Sequence, residues 1–152
     1  MRQTVIMLDL ENTIISSWNG RHVLDYKVLK IRKQINSLEL KNPVFGIFST
    51  AIDNVPEKDI GFNIVKRIMD VDVDCNFIPC FDELKDLVCN DHLQKWEIMQ
   101  LFGKEGLFDL YTKDFPDYDF VLFDDMLDYD FKTITRQINN KETIQTVKFF
   151  KV

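Results

Sequence analysis

Residues 4–13 read TVIMLDLENT, an apolar run, Val5 to Leu8 behind Thr4, that ends in the carboxylate of Asp9 and continues into Leu10, Glu11, Asn12 and Thr13. A run without polar alternation suits a strand covered on both faces. Open α/β sheets bind their ligands beyond the carboxyl ends of such strands, so Asp9 stands where a nucleophile would be useful.

Working outward, Ile14 to Val23 holds Ser16, Ser17, Asn19 and Gly20, turn formers that predict a short loop or flap over Asp9. From Asp25 onward Val28, Ile31, Ile35 and Leu38 recur at helical spacing, with Lys27, Lys30, Arg32 and Lys33 on the other faces, the pattern of an amphipathic helix. Asn42 and Pro43 break it, and Val44 to Phe48 predicts a second buried strand ending at Ser49 and Thr50. Asn54 and Pro56 open a helix with Ile60, Ile64, Val65 and Ile68 as its buried stripe. Cys75 to Cys80 reads as a short third strand. A helix from about Asp91 to Phe102, capped by Asp91 with Gln94, carries Lys95 in its first turns and stops at a Gly103 to Gly106 turn. Phe120 to Phe123 predicts a fourth strand ending in Asp124 and Asp125. Asp128 to Ile138 reads as a final helix through Phe131, Ile134 and Ile138, and Thr143 to Phe150 as a closing edge strand. Strands alternating with helices predict an α/β fold, doubly wound, with a mostly parallel five-stranded sheet and helices on both faces. The expectation is a single domain over 1–152 without a separate cap domain.

The 152 residues, 45% hydrophobic with 13 Phe, supply enough apolar material for a real core. A net charge of −6 argues against nonspecific nucleic-acid binding, which needs a basic footprint. Cys75, Cys80 and Cys89 show no paired spacing for zinc or a disulfide framework. The apolar run before Asp9 is too short for a signal-peptide core, and no run reaches the ~20 apolar residues of a membrane span. A cytoplasmic protein with no membrane partner is expected. Between Asp109 and Asp130 eight aspartates face Lys113 alone, a crowding of charge that needs either water or a bound cation.

Asp9, Ser49 with Thr50, Lys95, and Asp124 with Asp125 fall in order at element ends, and together they could build a phosphoryl-transfer site. A carboxylate nucleophile repels the phosphate it must attack, so the site needs a cation; Mg2+ held by Asp9 and an acid of the fourth strand fits this oxygen chemistry. Lys95 and the Ser49 or Thr50 hydroxyl would steady the phosphate oxygens.

Over nearly its whole length this order resembles the four motifs of the haloacid-dehalogenase-like (HAD) superfamily, in a small capless form. The resemblance implies that Asp9 is the nucleophile, Ser49 the second-motif hydroxyl, Lys95 the third-motif lysine, and Asp124 with Asp125 the acidic metal-binding fourth motif. It also implies that the main-chain carbonyl of Glu11 ligates magnesium, and that the Glu11 side chain is the general acid and base. Position 11 departs from the family pattern, which has Asp there; the extra methylene moves the acid by about 1 Å, and such a displacement can cost on the order of 100-fold in rate. A two-component receiver domain carries a similar residue set, but its acidic pair comes first in the chain rather than last.

The resemblance therefore implies a magnesium-dependent phosphomonoesterase with an aspartyl-phosphate intermediate. Its open site would take a phosphorylated substrate, including bulky ones such as a nucleic-acid end, a nucleotide or a phosphoprotein. The alternative is a catalytically impaired HAD-like domain that binds or regulates a protein partner. His22 and His92 lack a second histidine at ligand spacing, and Trp18 and Trp96 read as packing residues.

Overall fold

The computed structural model of the chain describes residues 2–90, 92–138 and 143–152. Its elements run β1 (Gln3–Leu8), α1 (Asp25–Ser37), β2 (Val44–Ile47), α2 (Glu57–Met69), α3 (Phe81–Leu87), α4 (Lys95–Lys113), β3 (Tyr118–Asp124), β4 (Phe131–Gln137) and β5 (Ile144–Lys151). The five strands form one mixed sheet in the order β2-β1-β3-β5-β4, parallel except for the β4–β5 pair.

β1 is apolar without interruption because alternate side chains enter different cores. Ile6 and Leu8 join Val121 and Phe123 against Val28 and Ile31 of α1 and Ile64 and Val65 of α2. Val5 and Met7 join Phe120 and Leu122 against Phe81 and Leu84 of α3 and Ile98, Leu107 and Phe108 of α4. Helices thus cover both faces. The second core is dense in aromatic edge contacts, with Phe108 meeting Phe48, Phe120 and Phe149 at ring separations of 4.8, 6.0 and 5.8 Å.

Three expected elements are corrected. Residues 75–77 form a 3-10 turn rather than a strand, and sheet pairing in that region is a single parallel bridge of Val73 to Phe45. Asn76 and Pro79 leave no uninterrupted extended run there. The Asp128 to Ile138 helix is instead β4, whose Thr133, Ile134 and Thr135 are β-branched and favour a pleated surface. The closing strand β5 lies inside the sheet between β3 and β4, not at its edge. The Asp91 cap lies outside the described residues; the described start of α4 has the Gln94 N–H donating to Glu97 Oε1 at 3.1 Å.

Two registers position the site. Leu8 is opposite Ile47 on one side and Phe123 on the other, and the ladders extend one step further, with the Phe48 N–H donating to Leu8 O and the Asp9 N–H to Phe123 O, both at 3.0 Å. Asp9 and Asp124 therefore leave the sheet side by side, with Ser49 two residues past the end of β2. β1 is also where the order reverses, since the connections from it lead to β2 on one side and later to β3 on the other, the arrangement that opens a crevice at strand ends.

Gly46 in β2 is required by close approach: a Cβ there would stand 2.6 Å from the Phe77 carbonyl oxygen and 2.7 Å from Phe77 Cβ. Gly46→Ala must push the 75–77 turn off the sheet, and is expected to cost about 1–3 kcal/mol of stability, measured as a lowered urea midpoint with an unchanged slope.

Candidate functional site

Beyond the ends of β1, β2 and β3 lies a cleft of about 590 Å³ whose floor is formed by Asp9, Ser49, Lys104, Asp124 and Asp125. Asp9 and Asp124 are 4% and 0% exposed, deep burial for carboxylates. Lys104 makes it tolerable: its Nζ lies 2.5 Å from Asp9 Oδ1 and 2.7 Å from Asp124 Oδ2. The Thr13 hydroxyl donates to Asp9 Oδ2 at 2.7 Å and approaches Asp125 Oδ1 at 3.4 Å. The Met126 N–H donates to Asp124 Oδ1 at 2.8 Å, and the buried Asp124 Oδ2 faces the Lys104 ammonium.

The chain after Asp9 makes one tight turn, in which the amides of Thr13, Ile14 and Ile15 all donate to Leu10 O, and this turn points Thr13 back at Asp9. Asn12 sits there at φ 59°, and its carbonyl accepts from Lys27 Nζ of α1. The expected loop over Ile14 to Val23 is a small hairpin, Ile15 bridging both Glu11 and Val23. Its residues Ser16 to Val23 do not line the cleft, and Trp18 packs on the core under α1 and α2. Glu11 lines the cleft, but its Oε2 accepts the Trp18 N–H at 2.8 Å, so this carboxylate is tied to the hairpin.

Of the residues singled out in the sequence, Asp9, Asp124 and Asp125 converge, their ligand oxygens lying within 4.8 Å of one another. Ser49 is buried at the cleft, its Oγ accepting the Ala51 N–H at 3.2 Å, and Thr50 lines the same wall. Lys95 is not among them. It is the first residue of α4, which starts at Lys95 and not near Asp91 as expected, and its ammonium turns to Thr50 O and Asp53 Oδ1, each at 2.5 Å, and lies over the Phe81 ring.

Lys104 takes the place expected for Lys95. The cause is Gly103, which breaks α4 at φ 65°, ψ 176°, a conformation open essentially to glycine alone. The helix restarts at once, so Lys104 opens a second helical segment and reaches inward. Reading Gly103 to Gly106 as a plain turn hid this. The signal was the spacing of Leu107, Phe108 and Tyr111 just after it, a buried helical face that demands a helix start near Lys104.

Burial pushes the Asp9 carboxyl up to about 7; the Lys104 ammonium opposes the rise, Asp124 adds to it, and the Thr13 hydroxyl lowers it. Burial also works against the charged form of Lys104, but Asp9 and Asp124 outweigh it and hold its pKa above the ordinary lysine range. The donor set offered by the three aspartates is oxygen only, with one ligand atom from each within 4.8 Å of the others, so the residues present fit a hard divalent cation. Compared with known proteins, the chain matches no family model, no curated protein and no solved structure.

Two stability measurements test this electrostatic account. Lys104→Met strands two buried carboxylates and is expected to cost about 3–5 kcal/mol, whereas Lys95→Met, which removes a half-exposed pair, costs no more than about 1 kcal/mol. Because the folded pKa of Asp9 is raised from 3.8 to about 7, its contribution is fully present below the unfolded value and is lost as pH rises through the folded one. In metal-free buffer Asp9→Asn should therefore gain stability relative to the parent between pH 4 and pH 7.5, read from paired melting curves; a constant difference across that range contradicts the assignment.

Proposed function

We propose that the chain is a HAD-like, doubly wound domain acting as a magnesium-dependent phosphomonoesterase, with Asp9 as the nucleophile. The observation that carries this reading is the meeting of Asp9, Lys104, Asp124 and Asp125 at one end of three parallel strands. Each charge there has a task that phosphoryl transfer requires.

In the proposed reaction an Asp9 carboxylate oxygen attacks phosphorus, forming an acyl phosphate as the bond to the leaving oxygen breaks. Glu11 gives that oxygen its proton. Glu11 then takes a proton from water, which attacks the acyl phosphate, releasing inorganic phosphate and restoring Asp9. Asp9, Asp124, Asp125 and the Glu11 main-chain carbonyl would hold Mg2+, which when bound offsets the repulsion between carboxylate and phosphate. Lys104 balances the charge of Asp9 and Asp124 and presents a cation to the transferring oxygens, Ser49 adds a hydroxyl, and Thr13 fixes the Asp9 carboxylate.

The tie between Glu11 and the Trp18 amide also favours a second reading, a catalytically impaired domain that binds phosphorylated molecules or a protein partner, since an acid held by the hairpin must leave that bond to follow the proton. Assay of the purified protein with 4-nitrophenyl phosphate, with magnesium and with EDTA, separates the two. The phosphatase reading expects EDTA-sensitive turnover, abolished by Asp9→Asn and lowered on the order of 100-fold or more by Lys104→Met, with Lys95→Met within about threefold of the parent. Release of Glu11 from Trp18 is tested by Glu11→Asp, which cannot span the same distance; a rise in kcat marks the longer acid as the handicap. Magnesium binding without turnover in any variant supports the binding domain, and neither binding nor turnover overturns the phosphatase.

A further inference from the structure

The floor of the cleft is ionic, but its outer walls are not. Met99 and Phe102 approach it from the first half of α4, and Met126 and Leu127 from the loop after β3. Met126 is 74% exposed and Phe102 37%, apolar surface left in water beside the charged floor of the cleft. Acidic side chains complete the rim: Glu11 and Asp128 line it, as does Glu105, which Lys132 pairs at 3.1 Å.

Building on the phosphomonoesterase reading above, we propose that this cleft selects phosphomonoesters of planar aromatic groups and rejects polyanions. One phosphate has a counter-charge on the floor, at Lys104 and at the cation that the aspartates fit. A second phosphate would fall against Asp128, where like charge and lost hydration both oppose it. The group that the phosphate carries into the outer cleft must therefore be uncharged, and the walls specify its character. Thioethers favour the edges of aromatic rings and Phe favours stacked or edge-on rings, so Met99, Met126 and Phe102 gain more from a flat ring than from an alkyl chain or a sugar. A 5′-phosphorylated oligonucleotide, the bulky substrate an open site would otherwise admit, is disfavoured by the acidic rim at Asp128. A singly phosphorylated aryl group, free or as an aromatic side chain, satisfies both layers.

The test uses ligands that cannot turn over, so binding is read apart from chemistry. Calorimetric titration in magnesium buffer compares 1-naphthylmethylphosphonate, methylphosphonate and a tetrathymidylate whose 5′ end carries a non-hydrolysable methylenephosphonate. The naphthyl compound is expected to bind on the order of 10-fold or more tighter than methylphosphonate, and tighter than the oligonucleotide. Phe102→Ala and Met126→Ala, both at exposed positions, should bring the naphthyl-to-methyl ratio towards one. Equal affinity for the two phosphonates, or tighter binding of the oligonucleotide, overturns the selectivity while leaving the phosphate site standing. Failure of both phosphonates to bind overturns the phosphate site and the selectivity together.

Discussion

A buried ammonium between two buried carboxylates is the constraint on which the rest of this structure depends. Asp9 and Asp124 are brought together by strand register, a consequence of apolar pairing between β1 and β3 that is indifferent to what stands at the strand ends. Left alone, two adjacent carboxylates with so little access to water would not remain ionised. The helix break at Gly103 is the answer on the other side of the cleft, because it turns Lys104 from a residue in mid-helix into one that opens a new segment facing Asp9. Sheet register and helix break have meaning only in combination.

The same logic explains the turn after β1. Thr13 is fully buried although it is polar, because its hydroxyl completes the coordination of Asp9. The turn that delivers it is held from outside by Lys27 on the Asn12 carbonyl, and the hairpin beyond is moored by Trp18 to the core. Glu11, between these anchors, inherits its position from the hairpin backbone. Its freedom is thus decided in part by Lys27 and Trp18, which do not line the cleft.

Much of this was legible in the sequence wherever burial was two-sided. The runs at Val5 to Leu8, Val44 to Phe48 and Phe120 to Phe123 are apolar because helices cover both faces, and the positions of the acids and hydroxyls at their ends are fixed by that burial. Legibility failed where one face was wet or the chain was broken by glycine. In β4 the spacing of Phe131, Ile134 and Ile138 imitates a helix, and the competing signal, consecutive β-branched residues on a half-exposed strand, was the decisive one. In α4 the glycines looked like an ending and were an internal break, so the helix-start lysine was sought one segment too early. Asp119 and Asp109, from the acidic stretch, are partners of Arg2 and Arg136, contacts between distant segments that no local pattern encodes.

The interior place of β5 bears on how the chain folds. β3 and β4 precede it in sequence, yet they are held apart by it, each pairing with β5 and not with the other. One flank of β3 stays unpaired until β5 is made and inserts, so the sheet closes by a non-local step of the kind that slows folding and invites aggregation meanwhile. The acid pair at the tip of β3 and the basic residues of β5 give that insertion an electrostatic guide, since Asp124 stands in register with Lys151.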